Sequence, residues 1–95
     1  VLKLTKIYSK LEARDKALNF LITTYEDQLN ESIEKYNDYM LTLAFKDIYD
    51  AAKENGVNLG NVDLLDEHKI QWIKRKIELE TKRLSVLKKL KSVNE

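Results

Sequence analysis

The sequence predicts an all-α domain, and three observations support that prediction. The 95-residue chain contains no Pro, and its two Gly residues lie close together at Gly56 and Gly60, so the one strong helix-breaking segment surrounds them. On both sides of this segment apolar residues recur every three or four positions, which is the spacing of one helical face. In the last third of the chain an apolar residue also returns every seven positions, a repeat typical of helices that pack against other helices.

The first helical segment is predicted over about residues 4–55, with apolar positions from Leu4 to Ile48 on one face. Asn37 and Asp38 are adjacent weak helix formers that can cap a new helix start. With a break there, helices over residues 4–36 and 39–55 pack with the last helix as a three-helix bundle. Without a break, the helix is about 75 Å long, too long for a compact domain of this size, and the chain is a long helical hairpin that we expect to be oligomeric.

The sequence around Gly56 predicts the end of this segment. Gly tolerates the left-handed backbone that closes many helices, and Val57 suits the apolar contact that accompanies such a cap. The spacing of Ala52, Gly56 and Val62 also resembles a helix-turn-helix motif. Its recognition helix would cover residues 59–68, which include three acidic residues where phosphates must approach, so the cap is the favoured interpretation.

The last helix is predicted over about residues 62–93, with Asn61 or Asp63 as its N-cap. It carries two apolar stripes. One stripe repeats every seven residues and comprises Leu65, Trp72, Leu79, Val86 and Val93, and the other comprises Ile70, Ile73, Ile77, Leu84 and Leu87. A helix with two apolar stripes contacts two neighbours at once, so this coiled-coil-like pattern predicts more helix packing than one neighbour supplies.

The charges are divided into three blocks. Residues 1–25 carry a net charge of +3, residues 26–67 carry −8, and residues 68–91 carry +7. The formal net charge of the whole chain is +1, which argues against a protein whose main role is to coat nucleic acid or an anionic membrane. We expect the acidic and basic helices to lie side by side and to neutralise each other.

Composition excludes several classes of site. The chain has no Cys and one His, His68, so thiol catalysis and Cys-ligated metal clusters are excluded, and we predict no metal or cofactor. No Ser/His/Asp constellation or glycine-rich phosphate loop is found, so no catalytic residue is predicted. No apolar run approaches the ~20 residues of a membrane span, and the N-terminus lacks an apolar signal region. We therefore expect one cytoplasmic domain over residues 1–95, without membrane contact.

Two acidic pairs, Glu31-x-x-Glu34 and Asp47-x-x-Asp50, lie in the first helical segment. Carboxylates from neighbouring helices can bind Mg²⁺ together with phosphate oxygens, and the spacing resembles that of the all-α nucleotide pyrophosphohydrolases of the MazG kind. The resemblance implies Mg²⁺-dependent release of pyrophosphate from nucleoside triphosphates. The second pair departs from the family pattern, since it begins with Asp and lies within two turns of Gly56. An acidic face that pairs with the basic last helix is the favoured interpretation.

The basic outer face of the last helix offers another function. Its cations are Lys74, Arg75, Lys82, Lys88 and Lys89. Such residues can contact nucleic-acid phosphates without sequence preference. Aromatic residues that would stack on bases are missing from this face, because Trp72 belongs to an apolar stripe, so nucleic-acid binding ranks second.

Helix packing is therefore the predicted function. We expect a non-enzymatic protein–protein interaction or oligomerisation module that acts through the apolar stripes of the last helix, with a second copy of the chain or a helix of another protein as its partner. The predicted interface residues are Trp72, Leu79, Val86 and Leu90, because a three-helix bundle of this length leaves part of the two stripes uncovered. A small nucleic-acid-binding protein is the second hypothesis and a Mg²⁺-dependent nucleotide hydrolase the third.

Overall fold

A computed structural model describes residues 4–62 and 66–92 of the chain. Helix α1 runs over Lys10–Glu54 and helix α2 over Glu67–Ser92, and the described ranges contain no strand. The chain is therefore all-helical, and its two helices form a helical hairpin.

The first helical segment is continuous. The described residues therefore contain two helices, whereas the predicted three-helix bundle requires three. Asn37 and Asp38 lie inside α1 and do not divide it. Each of these residues costs a helix only about 0.7 kcal/mol relative to Ala. Tyr36 and Tyr39 beside them are half-buried, and the packing of such side chains offsets a cost of that size.

Helix α1 begins at Lys10 rather than near Leu4, because Ser9 supplies its N-cap. The Ser9 hydroxyl oxygen accepts a hydrogen bond from the Glu12 N–H at 3.2 Å and donates one to the Glu12 carboxylate at 3.5 Å. Lys6 lies 2.7 Å from the same carboxylate. A capped first turn of this kind fixes where the helix starts, and residues 4–9 are not helical.

Helix α1 ends in the predicted glycine cap. Gly56 has a φ of 82°, its N–H donates to the Lys53 carbonyl at 3.1 Å, and the Val57 N–H donates to the Ala52 carbonyl at 2.9 Å. These two bonds define a Schellman motif, so the cap is confirmed. Residues 57–62 are not helical, so the recognition helix expected for a helix-turn-helix motif does not begin at Leu59.

Helix α2 begins at Glu67, five residues later than predicted. The Asp66 carboxylate accepts a hydrogen bond from the His68 N–H at 2.9 Å, so Asp66 is the N-cap in place of Asn61. The other predicted cap, Asp63, lies outside the described residues, as do Leu65 and Val93 of the seven-residue repeat.

The two helices pack antiparallel around a small core. Ser32 of α1 contacts Glu80 of α2. The Glu26 carboxylate, which is closer to the start of α1, lies 3.8 Å from the Lys88 ammonium, which is closer to the end of α2. The buried apolar side chains of the described residues are Leu18, Ile73 and Leu84. The Cα radius of gyration is 22.3 Å, against about 12 Å for a compact domain of this length. The hairpin is therefore elongated and leaves much apolar surface uncovered.

Candidate interaction surface

One side of the hairpin carries a groove between α1 and α2, which we call the side groove. It consists of two adjoining depressions of about 500 and 390 Å³ that share Leu79 and Arg83. The apolar side chains that line it are Leu21, Tyr25, Trp72, Leu79, Val86 and Leu87. Residues 72–86 of α2 extend for about 21 Å, or four helical turns. A helix of similar length can therefore lie along the groove.

The four predicted interface residues lie on this side of α2 and are exposed. Their relative exposures are 60% for Trp72, 49% for Leu79, 51% for Val86 and 42% for Leu90. The first three line the side groove, and Leu90 follows on the same stripe, four residues after Val86. The other stripe faces α1, where Ile73 and Leu84 are buried. Helix α2 thus uses one apolar stripe to hold the hairpin together and leaves the other uncovered.

The edges of the side groove are basic. Its cationic side chains are Arg75, Lys76, Lys82 and Arg83. Among the described residues that line the groove the only carboxylate is Glu80, which is 2% exposed and accepts a hydrogen bond from the Ser32 hydroxyl at 3.1 Å. The groove therefore presents an apolar floor and positive edges, which complement an acidic amphipathic helix.

The Ser32–Glu80 pair lies in the middle of the helix contact and was not predicted from the sequence. Ser32 is 1% exposed, its hydroxyl lies 3.1 Å from both Glu80 carboxylate oxygens, and the Lys76 ammonium lies 3.8 Å from one of them. A signal for this pair was present, because Glu80 occupies the position between Ile77 and Leu84 where the apolar stripe has a gap. A polar residue at such a gap indicates a buried polar contact between helices.

The five basic residues predicted as possible nucleic-acid contacts do not share one patch. Arg75 and Lys82 border the side groove, whereas Lys88 faces Glu26 outside it. Two more, Lys74 and Lys89, are exposed and line neither depression. The basic charge is therefore divided between the groove and the remaining surface of α2.

The two acidic pairs of the MazG-type spacing both lie on α1 and do not converge. Glu34 and Asp47 are 13 residues apart on this helix, a distance of about 20 Å along its axis. Within residues 4–62 and 66–92 no group of three or more His, Cys, Asp or Glu side chains could hold a metal ion. A metal site formed by two acidic pairs requires the pairs to lie on helices that face each other. Because both pairs lie on α1, they do not form such a site within one chain.

No protein-family model, curated protein or solved structure matches the chain. In the described part of the chain, neither helix combines the length and the apolar content that crossing a membrane requires. Function is therefore inferred from the surface of the hairpin itself.

Proposed function

We propose that this chain is a non-enzymatic helical oligomerisation module, in which a helix of a second copy buries the side groove. The observation that carries the proposal is the uncovered stripe of Trp72, Leu79 and Val86, with Leu21 and Tyr25 on the opposite wall. A helix with an apolar stripe gains stability when that stripe is buried against another element. Affinity comes from the apolar side chains, and the charges beside them set the alignment.

The surface area of the hairpin supports this proposal. The chain exposes 8285 Å², whereas a compact monomer of 11.2 kDa exposes about 5,700 Å². The excess is about 2,600 Å², and each partner in a standard protein–protein interface buries roughly 800 Å². The excess area is therefore large enough for more than one helix contact.

The small core supports the proposal as well. Among the described residues three apolar side chains are buried, whereas seventeen large hydrophobic side chains are exposed. The chain has no Cys, so no disulfide compensates for the limited core. Small domains without such support commonly gain their stability by oligomerisation.

The proposal is tested by measuring solution mass with light scattering after gel filtration, over a range of protein concentrations. We expect the wild-type mass to exceed the 11.2 kDa of one chain. Trp72→Ala and Leu79→Ala should each weaken association by about tenfold or more, because truncation of a buried anchor costs about 2 kcal/mol and 1.4 kcal/mol corresponds to tenfold.

Leu59→Ala is the matched control for these variants. Leu59 is as exposed as Leu79, but it lies in the segment that follows α1 and not in the side groove. A wild-type chain that stays monomeric at every concentration contradicts the proposal, and so do groove variants that associate as tightly as Leu59→Ala.

A further inference from the structure

A second surface of the hairpin carries the charge that complements the side groove. It is a stripe on α1, which we call the outer stripe, whose residues follow one another at alternating spacings of three and four. Its members are Glu31, Glu34, Asp38, Leu41, Phe45 and Ile48. All six are exposed, and the three apolar members are each more than half exposed. The outer stripe is therefore a second uncovered seam of the kind that pairs helices.

The outer stripe lies on the side of α1 that points away from α2. Ser32 is buried and donates a hydrogen bond to Glu80 of α2, and Tyr36, one turn later in α1, is half-buried. Glu34 and Asp38 each follow one of these residues by two positions, which corresponds to about 200° around the helix. A single hairpin therefore cannot bury its own outer stripe against its own α2.

The outer stripe and the side groove have complementary charges and similar lengths. Three of the six members of the outer stripe are acidic and none is basic, whereas the groove has four basic side chains at its edges. The outer stripe from Glu31 to Ile48 spans about 26 Å, and residues 72–86 along the groove span about 21 Å, so the two surfaces are similar in length. Opposite charges on matched surfaces favour contact between them over contact between like surfaces.

We propose that the outer stripe of one chain packs into the side groove of a second copy, an inference that rests on the proposed function and names the surface that fills the groove. Two chains that met groove to groove would place the basic edges of both copies against each other. Arg83 and Arg75 of one copy would then face the same residues of the other, and like charges in contact oppose association. The acidic outer stripe avoids this conflict.

The order of polar and apolar residues along each surface also sets the direction of the docked helix. The depression nearer the start of α2 has two apolar side chains beside Arg75, Lys76, Arg83 and Glu80, whereas the depression that contains Val86 has five apolar side chains. The acidic half of the outer stripe precedes its apolar half in the sequence. Matching the apolar half of the outer stripe to the more apolar depression places the docked α1 parallel to the α2 that receives it.

This contact joins two different surfaces, so it is heterologous. Each chain has one groove and one outer stripe, and the contact made by one chain leaves its other surface available to a further copy. Heterologous contacts of this kind continue until a ring closes or a filament forms. The solution mass is therefore expected to rise in steps of one chain.

The inference is tested with two charge-reversed variants and their mixture. The groove variant is Arg75→Glu/Arg83→Glu, and the stripe variant is Glu34→Lys/Asp38→Lys; all four side chains are exposed. Asp15→Lys/Glu78→Lys is the control for the stripe variant, because it changes net charge equally at exposed positions that belong to neither surface. Association is measured by light scattering at one moderate salt concentration, and helix content by circular dichroism.

We expect each reversed variant alone to associate about tenfold or more weakly than wild type, because its groove and its outer stripe then carry charges of the same sign. The control should associate like wild type. An equimolar mixture of the two variants should regain the wild-type mass. In the mixture the acidic groove of the groove variant faces the basic stripe of the stripe variant, and the basic groove of the stripe variant faces the acidic stripe of the groove variant. Recovery in the mixture also shows that both variants are folded.

Three outcomes overturn the inference. If the stripe variant associates like the control while the groove variant does not, the groove has another occupant and only the proposed function survives. If neither variant is impaired, the inference fails, and the proposed function is then decided by the Trp72→Ala and Leu79→Ala variants. If both variants are impaired but their mixture stays monomeric, the two surfaces do not contact each other.

Discussion

The buried Ser32–Glu80 pair gives the most specific prediction about the hairpin itself. Ser32→Ala removes the hydroxyl that lies 3.1 Å from both Glu80 oxygens and leaves the Lys76 ammonium at 3.8 Å as the charged neighbour. Glu80 is 2% exposed, so water cannot readily replace the lost donor. A buried acceptor that loses its partner costs about 1–3 kcal/mol, and we expect the free energy of unfolding to fall by about 2 kcal/mol.

Ser85→Ala is the matched control, because Ser85 is exposed on α2. Both replacements raise helix propensity by about 0.5 kcal/mol, so the difference between the two variants isolates the buried pair. Stability is measured by chemical denaturation followed by circular dichroism at one protein concentration, since association contributes to stability by mass action. Equal free energies of unfolding for Ser32→Ala and Ser85→Ala would refute the reasoning.

A double variant, Ser32→Ala/Glu80→Met, completes this test. Replacing both polar partners by apolar side chains removes the unpaired carboxylate, and such replacements are commonly neutral or stabilising. We therefore expect the double variant to recover the stability lost in Ser32→Ala. A double variant that is less stable than the single one indicates that Glu80 makes its contribution through Lys76 rather than through Ser32.

Two further predictions concern the cap and the core. Gly56→Ala should lower the melting temperature, because the φ of 82° costs a residue with a side chain about 1–2 kcal/mol. An added Cβ meets no atom within 4 Å, so Gly56→Asn should lower the melting temperature less, since Asn tolerates this backbone better. Equal decreases for the two variants would contradict backbone strain as the cause. Ile73→Ala should lower the free energy of unfolding, measured with denaturant, by about 2–5 kcal/mol. Ile33→Ala should lower it less, because Ile73 is 1% exposed and Ile33 is 38% exposed. Similar decreases for the two variants would show that Ile73 does not anchor the hairpin.

The sequence predicted those features of the fold that depend on local chemistry. The glycine cap was predicted correctly, because Gly56 and Val57 are adjacent residues whose backbone preferences determine the motif. The start of α1 was predicted too early, because Leu4 and Ile7 continue the apolar spacing although Ser9 caps the helix at Lys10. Apolar periodicity therefore located the helices, and the capping side chains located their ends.

Features that depend on packing between helices were predicted less well. Whether Asn37 and Asp38 interrupt α1 is decided by a small difference in propensity, so the local sequence left both alternatives open. The exposed stripe of α2 was identified from its own spacing, but Leu21 and Tyr25 become the opposite wall of the groove only through the antiparallel alignment of the helices. Such contacts between distant parts of the chain are not encoded in the periodicity of either helix.

The division of charge along the chain has a different consequence from the one that the sequence suggested. The acidic and basic segments were expected to neutralise each other within one molecule, yet among the ion pairs of the described residues only that between Lys88 and Glu26 joins the two helices. The basic edges of the side groove and the acidic members of the outer stripe instead lie on separate sides of the hairpin. In the contact that we propose, charges separated in this way attract a neighbouring copy. The charge pattern that we expected to stabilise one hairpin would then favour contact between hairpins.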